Sequence, residues 1–198
     1  MSNQKVRKGE DLPEISLKKY LTKFPKGPNF LKANYYLANI LFKEKQFDKA
    51  IVNYNIILKA GITPFSEDTL AKLSQIYLEK QKFQDALPLL ERLEKEAYTI
   101  ENIQFAQSNL MKGYYETQAY IAAISYAKKV LSMSSVKNTL EQDAITIIAR
   151  SAFKTEDFVM AEEYYTELEK NAIGALKAET LYYNAFFKNQ QKEYIASN

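Results

Sequence analysis

The side chains that could do chemistry in this chain of 198 residues are carboxylates, amines, guanidinium groups and phenols, because it contains neither histidine nor cysteine. Disulfides, zinc sites of the thiolate type and thiol nucleophiles are therefore excluded, and so is the commonest general base near neutral pH. The densest carboxylate group is Glu162, Glu163, Glu167 and Glu169. These residues could bind calcium, but they fall on a predicted helix without a D-x-D-x-D-G loop, which favours a solvated helix face.

No pattern of residues predicts an enzyme, a metal site or a cofactor. All five glycines are isolated, so the sequence contains no glycine-rich phosphate loop. No pair of carboxylates stands out as an acid and base for hydrolysis. The sequence therefore predicts a protein without catalytic residues.

Positive charge is concentrated near the N-terminus. Residues 1–32 contain eight basic and three acidic residues, a net of 8 − 3 = +5, whereas the whole chain carries +3. The remainder is near 3 − 5 = −2, which argues against a nucleic-acid partner. We expect residues 1–11 to be a disordered or expression-derived tail. The lysines at 18, 19, 23 and 26 are either solvated or mark a surface for anionic lipids or an acidic partner.

The elements that must position these side chains recur along the chain. An aromatic residue precedes an alanine by three positions in four places, and the alanines are 36, 37 and 38 residues apart. The four pairs are Phe47/Ala50, Phe83/Ala86, Tyr120/Ala123 and Phe158/Ala161. A fixed period of this length is typical of a solenoid, in which each unit packs on its neighbours.

Apolar periodicity predicts that each unit is a pair of helices. The four predicted pairs are Asn29–Lys43 with Phe47–Lys59, Ser66–Lys80 with Phe83–Lys95, Glu101–Thr117 with Tyr120–Met133, and Thr139–Lys154 with Phe158–Asn171. A half pair, Leu12–Phe24, precedes them. Another helix, Ala175–Asn189, follows them, and Glu193–Asn198 is expected to begin its partner. No apolar run approaches the roughly 20 residues of a membrane span.

These units resemble the tetratricopeptide repeat, which has a small residue midway along its first helix and an alanine early in its second. The positions twelve residues before each alanine are Ala38, Ser74, Met111 and Ala149. The positions four residues after each alanine, where the repeat has an aromatic or large apolar residue, are Tyr54, Leu90, Ala127 and Tyr165. Met111 and Ala127 depart from the pattern.

The resemblance implies an all-α right-handed superhelix of antiparallel helix pairs with about ten helices. It implies one solenoid domain over residues 12–198. Its parts are a half repeat at 12–28, repeats at 29–65, 66–100, 101–137 and 138–174, and a partial repeat at 175–198. Because both ends lack half a repeat, we expect the chain to be a fragment of a longer array.

Two segments suggest a narrower resemblance. Ser16–Lys26 is similar to a phrase common in bacterial cell-envelope tetratricopeptide proteins related to the Tol–Pal coordinator, and residues 181–198 resemble a stretch inside long members of that group. This resemblance implies a periplasmic or outer-membrane location, which we favour over the cytoplasm, with an export signal outside the present sequence.

In tetratricopeptide proteins the first helices line a concave groove that usually binds a peptide or protein. By register, the resemblance implies that nine residues lie in this groove: Tyr35, Asn39, Phe42, Gln75, Leu78, Lys112, Tyr115, Arg150 and Phe153. The alternative for the aromatic members is packing between adjacent helices. We expect replacement of Asn39, Lys112 or Arg150 by alanine to weaken binding of a partner without changing the melting temperature.

The sequence thus predicts a non-catalytic scaffold that binds a protein or peptide on the first-helix face. The alternative is a structural spacer of a larger envelope protein that associates with itself through uncapped ends. The residues expected at such an end are Tyr182, Tyr183, Phe186 and Phe187. The competing interpretation is that these rings pack inward from a final helix.

Overall fold

The computed structural model describes the backbone of residues 13–133 and 138–197, and the side chains of residues 13–133 and 138–190. Within these ranges the secondary structure consists of ten helices and no strand. In chain order the helices are α1 Pro13–Lys23, α2 Phe30–Lys43, α3 Phe47–Lys59, α4 Ser66–Glu79, α5 Phe83–Glu96, α6 Ile100–Glu116, α7 Tyr120–Leu131, α8 Asn138–Lys154, α9 Phe158–Glu169 and α10 Gly174–Ser197. The predicted tail, residues 1–11, lies outside the described residues.

Two compact units make up the chain, and the boundary between them falls inside α4, after Ile76. In the first unit α1 packs on α2 and α2 on α3. In the second unit each helix from α5 to α10 packs on the next, and α6 also contacts α8. This arrangement confirms the prediction of an all-α repeat of helix pairs. That residues 12–198 form a single domain stays a prediction.

The predicted helix bounds agree with the structure to within a few residues, except at α10. The prediction that one helix ends at Asn189 and another begins at Glu193 is wrong, because α10 is continuous to Ser197. No glycine or proline lies between these positions, and the intervening residues are mostly good helix formers. No helix in the described residues has the length and hydropathy needed to cross a lipid bilayer.

The turn inside each repeat has the same backbone conformation. Its central residue adopts a positive φ of 55° to 62° at Lys45, Gln81, Gln118 and Glu156, which are 36, 37 and 38 residues apart. The next amide closes the turn by donating to the carbonyl five residues back, for example from Gln46 to Leu41 at 2.8 Å. This hydrogen bond is the Schellman closure, which usually contains glycine at the left-handed position.

The small residues of the repeat allow its helices to approach closely. Ala50, Ala86, Ala123 and Ala161 are completely buried, and so are Ala38, Ser74 and Ala149 on the first helices. Met111, the one large side chain at this first-helix position, is completely buried as well. In α6, Gly113 has the same purpose as these alanines, since a Cβ there would lie only 3.0 Å from a methyl group of Leu87. Helices that cross this closely have no room for a larger side chain.

Candidate functional site

The predicted polar groove residues already have partners inside the protein. Four of them stand eleven positions before the repeat alanines, on the first helices α2, α4, α6 and α8. They are Asn39, Gln75, Lys112 and Arg150. In the second unit two of these residues form ion pairs with an acidic residue in the first turns of the following first helix. That these residues bind a partner stays a prediction, and the internal contacts differ from one residue to the next.

Arg150 of α8 has the strongest of these partners. Its Nε and Nη2 atoms donate to Oε1 and Oε2 of Glu179 in α10, at 2.8 and 2.6 Å. The buried Tyr165 hydroxyl also donates to Oε1 of Glu179, at 3.0 Å. The hydrogen bond from Arg150 holds the pKa of the Glu179 carboxyl below its ordinary value, against the opposing effect of burial. This group is a structural link between two first helices.

A depression of about 450 Å³ lies beside this ion pair in the second unit. Arg150 and Glu179 line it together with Lys154 and a set of aromatic rings. The rings belong to Tyr115, Phe153, Tyr165, Tyr182 and Tyr183. An open, ring-lined surface with fixed polar groups offers contact area at a small cost in side-chain entropy.

Lys112 of α6 is less constrained. Its Nζ lies 2.7 Å from Oδ2 of Asp143 in α8, but the side chains are 45% and 49% exposed. Exposed ion pairs of this kind contribute little to stability, because water screens the attraction and two long side chains lose freedom. Lys112 is therefore held less firmly by its ion pair than Arg150 is.

In the first unit, Asn39 lies in a hydrogen-bonded cluster between α2, α3 and α4. Its Oδ1 accepts from the hydroxyl of buried Tyr54 at 2.7 Å and from Nζ of Lys72 at 3.1 Å. Asp68 accepts from Lys72 at 2.6 Å and from the Tyr35 hydroxyl at 2.7 Å. Burial, followed by the hydrogen bond to Asp68, raises the pKa of Tyr35. Tyr35 and Asn39 thus belong to a structural network of hydrogen bonds. Together with Lys72 they also line an open depression of the first unit.

Three of the predicted groove aromatics pack across the turn of their own repeat. The ring centroids are 5.9 Å apart for Phe42 and Phe47, 6.0 Å for Tyr115 and Tyr120, and 5.6 Å for Phe153 and Phe158. This geometry favours the packing interpretation, although each first-helix ring is only half-buried.

The second repeat contributes the remaining two predicted groove residues. Gln75 of α4 is exposed, and Leu78, one turn further along the same helix, is half-buried.

The four aromatic residues predicted at an uncovered end differ in exposure. Phe187 is only 3% exposed and lies in the core beside Phe153, so its assignment to an open end is wrong. Tyr183 stacks on Tyr165 at 4.5 Å, and Phe186 packs against Phe153. Only Tyr182, 67% exposed, projects from this group. The inward-packing interpretation therefore holds for three of the four.

Glu179 is the residue that sequence reasoning missed. It follows Asp143 by 36 residues, the period of the repeat, so extending the register into α10 would have found it. The described residues contain no group of three or more acidic side chains arranged to bind a metal ion.

Comparison with solved structures supports the fold. A tetratricopeptide repeat protein from Parabacteroides merdae ATCC 43184, whose crystal structure was determined at 2.39 Å, is similar with a TM-score of 0.57 and 20% sequence identity. The match covers 79% of the present chain and 58% of that chain. The fold is therefore a helical repeat of the tetratricopeptide type, and this chain spans little more than half of the length of the similar protein.

No protein-family model matches the sequence, and no curated protein is similar to it. The narrower resemblance to envelope proteins related to the Tol–Pal coordinator has no support from these comparisons and stays a prediction. Stacked helix pairs of this kind form extended concave surfaces.

Proposed function

We propose that the protein is a non-catalytic scaffold that binds a protein or peptide on the face formed by its first helices. The observation that supports this most is the depression of about 450 Å³ beside Arg150, lined by aromatic rings and charged groups. Rigid helix pairs keep these groups in place before binding, so that little ordering entropy is lost when a partner binds. Exposed Tyr182 and Lys154 on its rim provide direct contacts.

A selection with a random peptide library tests this proposal. Peptides are selected on the wild-type protein, and their affinities for the wild type and for two variants are measured by fluorescence polarisation. The variants are Tyr36→Ala in α2 and Tyr182→Ala in α10, which each remove an exposed ring on a first helix. Val52→Ala in α3 and Ile121→Ala in α7 are the controls, since both side chains are exposed on second helices. We expect a loss of about tenfold or more for at least one first-helix variant and none for the controls. Loss confined to the controls would overturn the proposal.

A second candidate function, self-association through α10, has one observation in its favour. The side chains on the outer side of this helix are apolar and exposed, and they recur every three or four residues. They are Ala175, Ala178, Leu181, Tyr182 and Ala185. A spacer that stacks on another copy would bury this stripe. Sedimentation over a dilution series, with Leu181→Glu as the variant, distinguishes it: a monomer at every concentration excludes it.

A further inference from the structure

A groove between α1 and α2 in the first unit combines apolar walls with lysine side chains. Two adjoining depressions, of about 360 and 640 Å³, share Ser16, Leu17 and Tyr36, and together they form the α1–α2 groove. Lys32 lines the smaller depression, and Ile40 lies in the larger one. Lys43 and Lys72 also line the larger depression, and none of the described carboxylates lines either depression.

The repeat register indicates what this groove accommodates. Ile40 of α2 corresponds to Gly113, Ser151 and Phe187, which are all buried, whereas Ile40 is only half-buried. Tyr36 is 46% exposed, but its counterpart Ile147 in α8 is 8% exposed and packs in one cluster with Met111 of the preceding first helix. The side of the first helix that the preceding repeat covers in α8 is therefore left open in α2 by the described residues.

The charge at this position identifies the chemistry of an occupant. Lys32 corresponds in register to Asp143 and Glu179, which pair with Lys112 and Arg150 of the preceding first helix. At Lys32 the sign of the charge is reversed. A helix in the equivalent place would pair with Lys32 through an acidic side chain, where α6 and α8 present a basic one. In another copy of this chain, Lys112 and Arg150 already pair with Asp143 and Glu179, and the corresponding position of α10 holds Phe186. That position of α10 therefore offers Lys32 no carboxylate.

We infer that the α1–α2 groove binds an amphipathic, acidic helix of a partner protein. Apolar side chains of that helix contact Leu17, Tyr36 and Ile40, and its carboxylates pair with Lys32 and Lys43. A helix lying in an apolar groove with anchors one turn apart is a common mode of peptide recognition. This inference rests on the proposed function, since it assigns a partner class to one part of the first-helix face.

Two designed helical peptides test the inference directly. Each is about 18 residues long, with leucines at i, i+4, i+7 and i+11, and its flanking positions are all glutamate in one peptide and all lysine in the other. At low salt we expect the wild-type protein to bind the glutamate peptide at least about tenfold more tightly than the lysine peptide. Lys32→Glu should reduce or reverse that preference. Tyr36→Ala should weaken binding of the glutamate peptide without reversing the preference for it over the lysine peptide.

Lys128→Glu is the matched control, because it makes the same change in net charge at an exposed position on second helix α7. Equal binding of both peptides, or the same effect from Lys128→Glu and Lys32→Glu, overturns the inference. If the wild-type protein has twice the monomer mass in solution and Tyr36→Ala restores the monomer, the occupant is a second copy, which also overturns the inference. If the glutamate peptide fails while library-selected peptides still depend on Tyr182, the inference fails and the proposed function stands.

Discussion

Arg150 and Glu179, 29 residues apart in the sequence, form an ion pair with two hydrogen bonds that joins the first helices α8 and α10. Their side chains are 38% and 24% exposed, so the pair is less open to water than Lys112 with Asp143 at the equivalent place. The buried Tyr165 hydroxyl depends on the same carboxylate. A residue predicted to contact a partner is thus part of the packing between repeats.

Arg150→Ala should lower the free energy of unfolding by about 1–2 kcal/mol, since it leaves the Glu179 carboxylate without its two hydrogen bonds from the guanidinium group. Lys112→Ala, at the same register position, should change it by less than about 0.5 kcal/mol, because that pair is exposed. Urea unfolding followed by circular dichroism measures both. Equal losses for the two variants would contradict the structural role of Arg150.

Stability should also depend on the ionisation of Glu179. The hydrogen bond from Arg150 lowers the pKa of this carboxyl below its ordinary value of 4.5. The stabilisation is therefore fully present above that value and is lost as the pH falls through the folded-state pKa. Glu179→Gln should flatten the decline in melting temperature between about pH 5 and 3. The exposed Glu116→Gln is the control, and an unchanged slope in Glu179→Gln would refute the linkage.

Glycine should stabilise each left-handed turn. Lys45, Gln81, Gln118 and Glu156 have positive φ, a conformation that costs free energy when a residue has a Cβ atom. Replacement of any one by glycine should raise the free energy of unfolding by about 0.5–1 kcal/mol. Lys128→Gly, within α7, should instead lower it by about 1 kcal/mol. Thermal unfolding of the five variants measures these changes. Lower stability of the turn variants would contradict the positive φ at these four positions.

Ser74→Ala should be neutral or stabilising by up to about 1 kcal/mol. The hydroxyl of Ser74 is buried and makes no hydrogen bond with the described residues, and the equivalent positions contain Ala38 and Ala149. The control is Ser66→Ala in the same unit. Buried Ser66 accepts from the Thr63 amide at 2.8 Å and donates to the Gly61 carbonyl at 3.2 Å, so its loss should cost about 1–2 kcal/mol. A larger loss for Ser74→Ala than for Ser66→Ala would contradict this assignment.

The helix pairs could be predicted from the sequence because apolar periodicity, turn length and the recurring alanines are local signals. The buried positions of Ala50, Tyr54 and Tyr165 followed from the same register. The backbone conformation of the turns could not be predicted in this way. Gln118 and Glu156 have a positive φ, although neither residue type favours that conformation.

The partners of the groove residues could not be predicted in the same way. Whether Arg150 is free depends on Glu179, which lies on the next first helix and can be found in the sequence only by extending the register from Asp143 into α10. The aromatic residues of α10 were equally ambiguous, because an apolar helix face is the same in sequence whether it packs inward or is exposed. The packing of Phe187 against Phe153 resolves that ambiguity.

Photo-crosslinking tests the central claim, that the first-helix face is the binding surface, most directly. The photoreactive residue p-benzoylphenylalanine replaces Tyr36, Tyr182, Val52 or Ile121 in turn, and each protein is irradiated with the best library-selected peptide. We predict crosslinks from one or both first-helix positions, Tyr36 and Tyr182, and none from the second-helix positions Val52 and Ile121. Crosslinks from Val52 or Ile121 alone would contradict the account.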